Sequence, residues 1–214
     1  MALDNESRWQ TLERYSWVGF LVAGVVFLVD VALLAVHLSS GTEPSALGQA
    51  LIGTAWTVAC VGLIGVHRRL LGGNRWLRRA VTVFAALGAL TMAVMALASL
   101  GYATNVLSGA LGDVVAVFLP GVFLGIVGGF GLFGLVSVRA GGRDRTVGVL
   151  SLVLVLTFLF NLTSGIAGFG TLLTVLAVVT VLTLTTFAAG FVLRGQYGDT
   201  SRSAARTAGD AGVD

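Results

Sequence analysis

The chain carries thirteen arginines and no lysine, and every arginine falls between the long apolar runs, in alternate segments only. From the N-terminus the segments hold Arg8 and Arg14, then none, then Arg68, Arg69, Arg75, Arg78 and Arg79, then none. The series continues with Arg139, Arg143 and Arg145, then none, then Arg194, Arg202 and Arg206. Cationic loops resist translocation and stay on the cytoplasmic side, so strict alternation is the pattern of an even number of crossings with both ends inside. The expected fold is all-α: a polytopic bundle of six transmembrane helices in the cell membrane, N-in and C-in.

Composition agrees with that topology. Hydrophobic residues make up 56% of the chain and charged residues 11%, against about 25% charged in soluble domains. Six crossings of about 20 residues each use more than half of the 214 residues, which leaves short connections and no room for a separate soluble domain. The net charge of +3 and pI near 9.8 do not point to nucleic acid, because the arginines are spread over four short segments with no soluble platform behind them. Anionic lipid headgroups are the simpler partner, at about 1 kcal/mol per arginine near the surface.

The lone Cys60 sits in an apolar run and has no partner for an internal disulfide. Residues 1–16 include Asp4, Glu6 and Glu13 and lack the basic start and cleavage site of a secretory signal, so the first apolar run is read as a retained helix. The absence of lysine, with Ala, Val, Leu and Gly dominant, suggests a GC-rich prokaryotic genome.

The expected spans are about 17–38, 47–66, 80–100, 114–138, 146–163 and 171–193, forming one transmembrane domain over 17–193. Residues 1–16 form either a short interfacial helix, with Trp9 and Leu12 inward, or a frayed start to the first span. Residues 194–214 have no apolar periodicity and read as a disordered cytoplasmic tail. The turn between the second and third spans interleaves Arg68, Arg69, Arg75, Arg78 and Arg79 with Leu70, Leu71 and Trp76. Its guanidinium groups are placed to snorkel toward lipid phosphates while the apolar side chains dip into the interface.

In the fourth span Gly121, Gly125 and Gly129 recur every fourth residue and form a face that lets another backbone approach closely. Ala85, Ala89 and Ala93 repeat the spacing in the third span, which makes that helix a natural mate. Pro120 removes a backbone donor and is expected to kink the span.

Asp30 is the one ionisable residue deep inside a span. An ionised carboxylate there costs several kcal/mol unless it is paired, hydrated or protonated, and no arginine lies at its depth. It is expected either to be neutral or to face a wet polar cavity. At about 1.5 Å per residue, Thr54, Pro120, Asn161 and Thr174 lie at similar depth, and His37 follows Asp30 by two helical turns on the same face. Asp30, Asn161, His37, Thr54 and Thr174 are thus the candidate solute or proton site. The bland alternative is that Asp30 is a protonated interhelical donor and that the threonines bond carbonyls of their own helices.

Enzyme signatures are missing. His37 and His67 stand at opposite membrane faces, about 30 Å apart, so one chain cannot clasp a haem between them, and no zinc motif occurs. The stretch ALGD ending at Asp113 lacks the first glycine of the GxGD pattern and lies at a helix end; Asp113 reads instead as a helix cap. No catalytic residue, cofactor or metal is expected. A non-enzymatic membrane protein that binds or moves a small solute is the leading expectation. The rival is a structural or assembly subunit that packs on a membrane partner, or on a second copy, through its fourth helix.

Overall fold

The computed structural model describes the backbone of residues 2–42, 45–70, 75–108 and 111–210, and side chains over 15–42, 45–66, 75–108, 112, 114–141 and 144–196. Among these residues every regular element is helical. They are α1 (Ala2–Ser40), α2 (Ala46–Leu70), α3 (Arg75–Ala103), α4 (Leu111–Phe123), a π-helical turn (Leu124–Gly128), α5 (Gly129–Ala140), α6 (Gly142–Ile166) and α7 (Leu172–Asp210). Since α4, the π turn and α5 follow without a break, six helical stretches are long and apolar enough to cross a membrane. They cover Tyr15–Ser40, Ala46–Val66, Arg75–Ala103, Val114–Ala140, Asp144–Ile166 and Leu172–Gln196.

Local chemistry sets the ends. Gly41 and Gly141 stand just past α1 and α5 with φ of 67° and 79°, the left-handed turn that releases a chain from a helix. Asn105, at φ 56°, does the same after α3. Two features differ from expectation. α1 starts at Ala2, so residues 2–16 continue the backbone of the first span, and α7 runs to Asp210 where a disordered tail was expected from Arg194. That stretch has no proline, and its alanines and arginines favour helix.

In the fourth span the helix passes through Pro120, and the irregularity sits one turn further on, in the π turn. Gly129 N–H there reaches the carbonyls of both Gly125 and Ile126. A missing amide upstream and a run of glycines downstream let the hydrogen-bond register slip locally.

Successive helices pack on each other and α7 returns to α1, closing a ring. Short connections make neighbours antiparallel. Arg75, Arg139, Arg145 and Arg194 consequently share one end of the bundle, and the connections around Thr42, Asn105 and Gly168 share the other. The centre of the ring is filled: Trp56 of α2 meets Phe27 of α1, Phe130 of α5 and Phe158 of α6 edge-to-face, with centroids 5.7–5.9 Å apart. Phe20 extends the cluster from Phe130 toward the arginine end. Outward faces carry large apolar side chains, such as the stripe Val83, Leu90 and Leu97 on α3, each more than 60% exposed.

Small residues decide how closely the helices approach. The Gly face of the fourth span lies against α3 of the same chain: Gly121 meets Thr91, Gly125 meets Gly88 and Gly129 meets Ala85. Gly19 against Gly62 sets the α1–α2 distance, and Gly148 against the Gly134 carbonyl sets that of α5 and α6. Within lipid such backbone-to-backbone contact replaces the hydrophobic effect as the source of helix association.

Candidate functional site

Asp30 follows Phe27 by one turn on α1, on the side turned toward α2. It is 0% exposed, and neither carboxylate oxygen has a hydrogen-bond partner. Its Oδ1 points at Gly48, where a Cβ would stand 3.0 Å from it. Gly48 belongs to the first turn of α2, and its N–H donates to the Ser45 carbonyl at 3.0 Å. The carboxyl is therefore packed against the start of a 25-residue helix, the end at which unpaired N–H groups and aligned peptide dipoles place partial positive charge. A side chain at position 48 would press on the carboxyl and shift it by a few tenths of an ångström.

Leu34 stands one turn beyond Asp30 on the same face and is 4% exposed. A turn further, the half-buried His37 shares a 2.7 Å hydrogen bond between Nδ1 and Thr42 Oγ1, while Ser40 Oγ lies 2.8 Å from the same hydroxyl. These bonds tie the end of α1 to the connection that leads into α2.

The other candidates stand elsewhere. Thr54 is exposed and donates to the Ala50 carbonyl at 2.8 Å, on the face of α2 about 160° from Trp56. Thr174 is half-buried, its hydroxyl 2.9 Å from that of Thr171. Asn161 is exposed, and its carbonyl accepts from Ser164 Oγ. No hydrogen bond joins any two of the five. Of the arginines read as lipid-facing, Arg75 and Arg79 are exposed and Arg78 is half-buried; the side chains of Arg68 and Arg69, and of Asp113, lie outside the described residues.

Several site features left no mark in the sequence. Gly48 is an ordinary glycine until the α1–α2 register sets it opposite Asp30, and nothing local singles out Trp56 as the hub of the aromatic layer. A second partnerless polar side chain, the Ser137 hydroxyl, is fully buried at the α5–α6 crossing. There a Cβ on Gly148 would meet the Ser137 Cβ at 2.8 Å. Among the described residues no group of three or more His, Cys, Asp or Glu side chains is placed to hold a metal ion.

Comparison with protein-family models, with curated proteins and with solved structures found no match to this chain.

Proposed function

We propose that the chain is a non-enzymatic, six-span membrane protein with both termini in the cytoplasm, and that it binds or moves a small solute with Asp30 as its operative group. The observation behind this reading is a carboxyl deep in a span with two partnerless oxygens; that it is 0% exposed counts against an open, wet solute site, so a solute reaches it only if helices part. A buried polar group without a hydrogen bond costs about 1–3 kcal/mol, and ionisable residues within membrane spans mark solute and ion sites by default. A structural role would give the carboxyl something to hold. A protonated interhelical lock needs an acceptor, and none lies within bonding distance of either oxygen.

The assembly reading loses its other support as well, since the glycines that would receive a partner are occupied by α3. Orientation is supported by the arginines, which gather at one end of the ring, where Arg75 and Arg79 are exposed and within reach of anionic headgroups. Arg194 also caps the α1–α7 contact, its guanidinium 5.4 Å over the Trp17 ring.

Cells producing the wild type and Asp30→Asn, exposed to a panel of labelled small solutes, provide the test. The expected result is a solute whose uptake depends on the wild type and falls to background in the variant, while both proteins purify with the same elution profile. Equal uptake of every solute by both would overturn the proposal. Co-purification of a stoichiometric membrane partner that is lost in Gly125→Leu would favour the assembly role instead.

A further inference from the structure

We propose that Asp30 is a proton-exchange site reached from the His37 end of α1 along the α1–α2 seam, with Leu34 as its apolar plug and Gly48 as the point where the seam opens. This rests on the reading of Asp30 as the operative group and names the ion that it handles.

The carboxyl is shut off from solvent, the first turn of α2 stands beside it, and no hydrogen bond holds either oxygen, so a proton can join or leave it without breaking a bond within the protein. A metal cation fits poorly, because hard cations take six or more oxygen ligands and no group of three candidate ligand side chains forms among the described residues. An organic cation needs volume and further acceptors. A proton needs neither.

Among the described residues no other titratable side chain bonds to Asp30. On α2, Cys60 Sγ lies beside Gly88 of α3, and His67, Arg68 and Arg69 are about 28 Å along the helix from Gly48. On α7, Arg194 stacks over Trp17 at the opposite end. His37, on α1 itself, is the nearest ionisable group along the same face.

The direction of access follows from what stands on either side. Toward the arginine end the edge-to-face layer of Phe27, Trp56, Phe130 and Phe158 closes the ring one turn away. Toward the other end Leu34 is the one buried side chain on Asp30's face of α1 before His37. On the α2 side, among the described residues, the half-buried Gly48 has only Asp30 Oδ1 within 4 Å of its Cβ position. Separation of the first turn of α2 from α1 by one water diameter would wet the carboxyl from that end alone.

The experiment uses the full chain, reconstituted in one orientation in liposomes and treated with dicyclohexylcarbodiimide, which adds to protonated carboxyl groups in apolar surroundings. Adducts are mapped by peptide mass spectrometry, with Asp30→Asn as the blank. Labelling at Asp30 is expected to fall as the pH on the His37 side is raised, because the reagent takes only the protonated acid, and to ignore the pH on the arginine side. Gly48→Ala, whose new methyl must displace the carboxyl by only a few tenths of an ångström, is expected to slow the labelling by about tenfold. Labelling that follows the arginine-side pH, that is independent of pH on both sides, or that is absent throughout would overturn the proposal. Since the assay uses no solute, it can fail while Asp30→Asn still abolishes uptake, and it can succeed while no solute is found.

Discussion

A single carboxyl organises the functional reading, and its energetics separate stability from function. Asp30 gives up hydration and receives no hydrogen bond in return, so the fold does not depend on it. Asp30→Ala is expected to unfold at the same denaturant concentration as the wild type or to gain about 1 kcal/mol, while losing solute uptake. Reversible unfolding in detergent measures this, and a loss above about 2 kcal/mol would mean that the carboxyl holds a partner. Asp30 was legible in the sequence because it is the one ionisable residue deep inside an apolar run. The site around it was not. Thr54, Asn161 and Thr174 share its depth, but helix rotation decides which face each presents, and rotation is set by glycine contacts between helices distant in the chain. Gly48 is the sharpest case, since its importance exists only opposite Asp30.

Among the elements, the fourth span bears the tightest constraint. A Cβ on Gly125 would overlap the Gly88 backbone, which has no flexible side chain to yield. Gly125→Ala should therefore force α3 and the π turn apart, at a cost of about 1–3 kcal/mol or more. Gly131, six residues further along the same rod, has nothing within 4 Å of its Cβ position among the described residues. Its replacement by alanine is expected to be neutral or slightly stabilising, because alanine is the better helix former by about 1 kcal/mol. Melting curves of the two variants in one detergent compare them directly, and equal melting temperatures would contradict the packing described. The period-four glycines made the face readable from spacing, but of the alanines expected opposite it, Ala85, Ala89 and Ala93, only Ala85 meets a glycine; Gly88 and Thr91 take the other two places. The π turn was not readable, because Pro120 announces a lost hydrogen bond without saying where the register recovers. The helical course of α7 beyond Arg194 was missed for a similar reason: lack of apolar periodicity excludes a packed face but does not exclude a helix.

For the molecule as a whole, hydropathy and arginine placement fixed the number of helices, their order and their connections, all of which depend on near-neighbour chemistry. Closure of the ring, with α7 against α1 and an aromatic layer across the centre, depends on contacts between the two ends of the chain and left no periodic signal. Among the described residues the centre of the ring is filled by aromatic side chains, so the proposed movement of a solute would need helices to part, and Gly48 and Leu34 stand beside Asp30 at the α1–α2 seam. Every functional inference further depends on which end of the ring faces outward. Reporter fusions at both termini and within each connection, read for the side of the membrane on which they are active, test that most directly. The account predicts cytoplasmic activity at both termini and at the two arginine-bearing connections, and external activity in the connections around residues 41–45, 104–110 and 167–171. Termini on opposite sides, or an odd number of crossings, would contradict it.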